Sequence, residues 1–165
     1  MSVNTARVIV SVVLVLQGCG GRTAQPSSSL TLSGLWSFSI SAPSCLASVP
    51  FGYAVAPRGG GTATVEQTGD MLSGELFIFG NPAGTISGTV GGTTVALTFN
   101  LDGRNVRVLS PTDEPCRVVG SGSGVIDHSC SMFIRFSGDF ACPYHCTASN
   151  DFLVMSRNAP GCGRS

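Results

Sequence analysis

The chain has 165 residues and a formal net charge of zero, with nine basic and nine acidic residues. This balance argues against a nucleic-acid partner, because binding phosphates needs a basic excess that releases counterions. Hydrophobic residues make up 42% and charged residues 11%, which is too apolar for a disordered chain. The length is that of a single domain with its own core.

The N-terminal segment has the pattern of an export signal. Residues 1–7 carry one positive charge, residues 8–16 are almost entirely aliphatic, and Gln17 and Gly18 then interrupt the apolar run. That run is about half the roughly 20 residues that a membrane-spanning helix needs. We therefore expect residues 1–18 to be a removable signal peptide rather than a membrane anchor.

The end of this segment, Leu16-Gln17-Gly18-Cys19, resembles the lipobox of bacterial lipoproteins. The resemblance implies that the signal is removed and that Cys19 carries acyl chains, palmitate among them, which anchor the protein in a membrane. Gly20 stands where an Asp would signal inner-membrane retention in that family, so the resemblance implies the outer membrane, on its periplasmic or its surface face. An ordinary secretory signal with cleavage elsewhere is the alternative.

Residues 19–29 are rich in Gly and Ser and have no apolar periodicity. This composition predicts a lipid-bearing, flexible tether, with the folded domain over residues 30–165.

The cysteine count agrees with export. Once Cys19 is set aside, an even number remains, which predicts three disulfides in an oxidising compartment with 15 connectivities open. These cysteines are Cys45, Cys116, Cys130, Cys142, Cys146 and Cys162. Cysteine and histidine are also zinc ligands, but the spacing of Cys130, Cys142 and Cys146 with His128 and His145 fits no standard zinc pair. We expect no metal and no cofactor.

Alternation of apolar and polar residues is the repeated pattern after Leu30, and it predicts strands rather than helices. The predicted strands are residues 30–41, 62–67, 72–79, 84–90, 93–101, 104–109, 132–137 and 151–157, and residues 116–120 and 125–129 are candidates for further strands. Turn-like residues separate them at 68–70, 81–84, 91–92 and 102–103. The two-residue loop Gly91-Gly92 is the strongest hairpin signal.

Short connections between strands predict antiparallel neighbours. A sheet of about eight to ten strands has no exposed edge strand when its first and last strands pair. We therefore predict an all-β fold, a single up-and-down β-barrel. A β-sandwich is the alternative.

The first and last strands carry a family resemblance. Gly34-Leu35-Trp36 is similar to the Gly-x-Trp opening strand of lipocalins and related calycin barrels, in which the Trp closes the barrel floor. The resemblance implies that Arg157, at the end of the last strand, packs across Trp36. Residues 84–99 and 136–157 also resemble many small, uncharacterised bacterial lipoproteins that are expected to be such barrels.

A catalytic constellation is not apparent in the sequence. No Gly-x-Ser-x-Gly elbow occurs, and the Gly-Ser run at 120–124 lacks the other residues of a phosphate loop, so we interpret it as a connection between strands. Asp113 and Glu114 lie between prolines in a predicted loop. Asp127 and His128 would point to opposite faces of a strand. We therefore do not expect an enzyme.

Two functions stay open. In the first, the lipid-anchored barrel binds a small apolar ligand, for which inward glycines such as Gly74 and Gly88 could leave room. In the second, the barrel is solidly packed and is a structural or interaction protein of the outer membrane with an envelope protein as its partner. The free volume inside the barrel distinguishes these functions.

Overall fold

The computed structural model of the protein describes residues 31–45, 47–48, 54–109, 114–128, 130–142 and 145–157. Ten strands and one 3-10 helix lie in these ranges. The strands are β1 (Gly34–Ser41), β2 (Ala47–Ser48), β3 (Ala54–Val55), β4 (Arg58–Thr68), β5 (Met71–Ile78), β6 (Asn81–Gly91), β7 (Thr94–Gly103), β8 (Cys116–Asp127), β9 (Ser131–Ala141) and β10 (His145–Ser156). The 3-10 helix spans Arg104–Leu109.

Eight of the strands form a closed antiparallel barrel in the order β1-β10-β9-β8-β7-β6-β5-β4. Each barrel strand pairs with the barrel strand that follows it in the chain, and β10 closes the ring by pairing with β1. The strands β2 and β3 lie between β1 and β4 in the chain and form a separate two-stranded sheet. The predicted all-β, up-and-down barrel is thus confirmed, and the sandwich alternative is wrong.

The two ends of the barrel differ. The end that we call the arginine end carries Thr31, Arg157, the turns at 69–70 and 92–93, and the end of β8. The opposite end, the helix end, carries residues 42–45 after β1, the turn at 79–80 and the 3-10 helix. Val106 of that helix is completely buried, so the helix covers the barrel at this end. Among the described residues, no helix is long and apolar enough to cross a membrane.

Because side chains alternate between the two faces of a strand, every second residue along each barrel strand points into the interior. On β1 the inward residues are Trp36, Phe38 and Ile40, and on β7 they include Leu97 and Phe99. The buried apolar side chains, from all eight barrel strands, form one cluster in which none exposes more than 7% of its surface. The barrel interior is therefore the hydrophobic core of the protein.

The prediction that residues 120–124 connect two strands was wrong. The run lies in the middle of the continuous strand β8, paired with β7 on one side and β9 on the other. Its glycines face inward: a Cβ on Gly120 would come 2.5 Å from Cζ of Phe99, and a Cβ on Gly122 or Gly124 would collide with the backbone of β9. The Phe99 ring and the close backbone of β9, neither of which a local pattern reveals, explain the glycines here.

Two further local predictions were wrong. Residues 104–109 form the 3-10 helix instead of a strand, because Gly103 leaves β7 with a φ of 101° and turns the chain over the barrel end. Residues 81–84 belong to β6, and the turn before it is made by Phe79 and Gly80, both with positive φ. The hairpin between β6 and β7 is present, with its loop at residues 92–93 so that Val90 pairs with Val95.

Candidate functional site

At the arginine end, the structure brings together Trp36 and Arg157. Trp36 is completely buried, and its indole N–H donates to the carbonyl of Leu32 at 2.8 Å. The guanidinium carbon of Arg157 lies 5.1 Å from the Trp36 ring centroid, a distance at which a cation and an aromatic face attract each other. Arg157 also donates to the carbonyl oxygens of Thr31 at 2.9 Å and Ser33 at 3.1 Å, which fixes the chain entering β1 to the chain leaving β10.

The helix end is stapled by two disulfides. Cys45 is bonded to Cys146 across 101 residues, and Cys116 is bonded to Cys142 across 26 residues. These bonds settle part of the connectivity that the sequence left open. Cys130 is disulfide-bonded as well. Because bonded sulfurs offer no thiolate, these five cysteines are not ligands for zinc.

The predicted lipidation site, Cys19, lies outside the described residues, as do Cys162, the predicted signal and tether over residues 1–29, and Leu30. Asp113 also lies outside them.

Of the residues that could have formed a catalytic cleft, the two that the structure describes, Glu114 and His128, do not converge. Glu114 precedes β8 at the helix end, and His128 follows it at the arginine end. The 12 residues of that strand separate them by roughly 40 Å at about 3.3 Å per residue. His128 does contact its neighbour Asp127, because a φ of 45° takes it out of the strand, but both side chains are exposed.

Asp151 is a buried polar residue that the sequence analysis missed. It is only 2% exposed, and its carboxylate accepts hydrogen bonds from the backbone N–H of Ser44 at 3.1 Å and from the Ser44 hydroxyl at 2.5 Å. The alternation that places Leu153 and Met155 inward would have placed Asp151 inward too. The contact holds the connection after β1 against β10, where the register shifts between Ala148 and Asp151. We assign it a structural role.

The inward glycines do not open a ligand space. A Cβ on Gly74 would lie 3.2 Å from Cγ2 of Ile86, and one on Gly88 would lie 2.7 Å from Cδ2 of Leu97. The rings of Phe99 and Phe136 meet edge to face, with centroids 5.2 Å apart. The atoms nearest to each added Cβ are the carbonyl oxygens of Thr64 and Ala96 on the neighbouring strands. The space beside these glycines is therefore filled by neighbouring backbone and core side chains.

The outer wall of the barrel carries a groove with a volume of about 600 Å³. One row of its lining follows the strand pairing from Thr89 through Ala96 and Ser123 to Arg135. Small side chains on neighbouring strands leave the wall concave there. Hydroxyl groups dominate the lining, so the groove can offer hydrogen bonds to a polar partner.

An apolar patch lies beside this groove, nearer to the arginine end. We call Val125, Phe133, Phe152 and Val154 the aromatic patch. Phe133 pairs directly with Val125 on β8 and with Val154 on β10, and it is 50% exposed. The guanidinium carbon of Arg135 lies 3.8 Å from the ring centroid of Phe152. A hollow of about 260 Å³ is lined by three members of the patch, Arg135 and Ile134.

Comparison with protein families, with curated proteins and with solved structures found no match to this chain. Its function therefore has to be inferred from the barrel and from the chemistry of its surfaces.

Proposed function

We propose that the protein is an exported, lipid-anchored β-barrel of the cell envelope that works as an interaction protein through its outer wall. Its interior is a packed core and does not carry a ligand. Cys19 bears the acyl chains in this proposal, and the outer membrane is where they insert. The disulfides support an oxidising, exported environment.

The observation that carries the proposal is the burial of the inward side chains. A side chain that lines a ligand-sized cavity exposes part of its surface to that cavity. The inward apolar residues expose at most 7%, and the largest of them, Trp36, Phe99, Phe136 and Phe140, expose less than 2%. An eight-stranded barrel has an interior just wide enough to be filled by side chains. The packing favours the interaction protein over the carrier of an apolar molecule.

The experiment that tests the packed interior compares the wild-type protein with Phe136→Ala for saturable binding of a fluorescent fatty-acid analogue. Truncating a buried Phe leaves an apolar cavity that can take up an apolar molecule. We expect no saturable binding to the wild type and a gain of binding in the variant, which serves as a positive control. If the wild type binds the analogue saturably and Phe136→Trp, which fills the interior further, abolishes this binding, the protein is a carrier and the packed-interior proposal is wrong.

The anchor is tested separately. Wild-type protein produced in a bacterial host is expected to incorporate labelled palmitate and to partition into detergent. Cys19→Ala is expected to give an uncleaved or soluble product without label. A processed Cys19→Ala protein that still partitions into detergent would contradict lipidation at this residue.

A further inference from the structure

We propose that the aromatic patch is the face by which the barrel lies against the lipid bilayer that holds its anchor. This inference rests on the proposed anchor at Cys19 and adds an orientation to it. The occupant of the patch is the interfacial region of that leaflet.

The position of the patch supports this occupant. The chain enters the barrel at Thr31, which Arg157 holds at the arginine end. Residues 19–30 extend at most about 40 Å, so the anchor restricts this end to the neighbourhood of the membrane. Val125, Phe133 and Val154 each lie two residues from the end of their strand on that side of the barrel. The patch is thus on the part of the wall nearest to where the tether leaves.

The chemistry of the patch suits a membrane interface. Aromatic and aliphatic side chains bury favourably at the boundary between headgroups and acyl chains, and an adjacent arginine can keep its charge among the headgroups. Phe133 and Phe152 supply the aromatic rings, and Arg135 lies directly over the second of them. The other charged neighbour is Asp127 at the end of β8, whose carboxylate contacts the His128 ring. The hollow in the patch offers acyl chains a shallow apolar recess.

The opposite wall differs at the same height. On β5, four strands away around the ring, Ser73 also lies two residues from the arginine end. Its paired neighbours are Glu66 on β4 and Ser87 on β6, and all three are exposed. Only the rim residue Met71 is a large exposed apolar side chain on that strand. Two residues in from the arginine end, the barrel therefore has an apolar wall and a polar wall, while Leu35 and Met71 are exposed apolar side chains at the rim. The difference between the walls favours one orientation over free rotation about the tether.

This orientation has a consequence for the groove. On β8 and β9 the groove residues Ser123 and Arg135 lie four residues from the arginine end, two farther than Val125 and Phe133. This part of the groove therefore remains above the leaflet when the patch is docked. The groove is then the surface that an envelope partner can reach.

The test places a tryptophan on each side of the full-length, acylated protein. Phe133→Trp and Val125→Trp report from the patch, and Ser73→Trp is the matched control at the same height on the opposite wall. Each variant is reconstituted in vesicles of phosphatidylethanolamine and phosphatidylglycerol, with and without brominated acyl chains, and its emission is compared with the buried Trp36 of the wild type. Circular dichroism and thermal unfolding establish that each variant is folded, and flotation with the vesicles measures anchoring.

We expect all three variants to float. An interfacial side chain sits about 5–10 Å into the boundary between headgroups and acyl chains, so bromine should quench roughly half of the added emission from either patch position and little of that from Ser73→Trp. The difference between the two walls is the signature of docking.

Three results would overturn the proposal. If the variants float but bromine quenches neither patch position, or quenches both walls equally, the lipid anchor is supported and docking through the aromatic patch is contradicted. A blue shift at the patch that depends on protein concentration and not on bromine would assign the patch to a second copy of the chain. Failure of the wild type to acquire acyl chains and to float would remove the anchor, and the docking face with it.

Discussion

The inward glycines of β8 are required by the atoms that pack directly against them. Gly120 pairs with Phe99 on β7, and the absence of a side chain at Gly120 gives that ring its space. Gly122 pairs with Phe136 on β9, where a Cβ would collide with the β9 backbone. The glycines of this strand are as much a part of the packed core as the phenylalanines. The local sequence shows only a Gly-Ser run, because the residues of β7 and β9 that require these glycines are far away in the sequence.

The substitution Gly120→Ala is therefore expected to lower the free energy of unfolding by about 1–3 kcal/mol, since its methyl group would collide with the Phe99 ring. Gly91→Ala is the matched control, because the nearest atom to a Cβ there is the Thr94 hydroxyl at 3.6 Å; its stability should be unchanged or rise by up to about 1 kcal/mol. Urea unfolding measures both. Equal stabilities of the two variants would contradict tight packing above β8.

Arg157 gives a second prediction for a single residue. Arg157→Ala removes two hydrogen bonds to the entering chain and the contact with Trp36, so we expect the free energy of unfolding to fall by about 1–3 kcal/mol. Arg135→Ala also removes a stacked arginine, but from the exposed ring of Phe152, and should cost less than about 1 kcal/mol. The shift of the urea midpoint at constant slope checks this order. The reverse order would show that the arginine end does not depend on Arg157.

Among the elements, the strands with alternating apolar residues were predictable and those defined by distant partners were not. The alternation of β1, β5, β7 and β9 gave their inward faces directly. The continuity of β8 depended on partners that the local sequence does not contain, and the 3-10 helix follows the positive φ of Gly103, a position that the sequence marks only as a turn. The contact between Trp36 and Arg157 was expected from a family resemblance, because nothing in either segment alone specifies a partner more than 100 residues away.

The connections at the helix end are held by covalent bonds. Cys142 and Cys146 are close in sequence but bond to different parts of the fold. Chymotrypsin cleaves between them after Tyr144, and trypsin separates Cys45 from Cys116. Mass spectrometry of the non-reduced digest should yield one peptide pair with Cys45 and Cys146 and another with Cys116 and Cys142. Peptides that join Cys45 to Cys142 would contradict the fold of this end, and the same digest assigns the partner of Cys130.

For the whole molecule, closure and packing have a common consequence. A closed barrel has no free edge with which a partner's strand could pair, and a filled interior has no room for a ligand. In the function that we propose, recognition falls to the outer wall, where the groove and the aromatic patch lie side by side. The lipid anchor, which we propose at Cys19, would set how this wall faces the membrane.

The most direct test of this account is native mass spectrometry of the full-length exported protein, released from detergent micelles before and after denaturation. We expect one mass, that of the acylated chain beginning at Cys19 with its disulfides intact, and no further component that leaves on denaturation. An additional small organic molecule that is bound in the native spectrum and absent from the denatured one would contradict a packed interior and would make the protein a carrier.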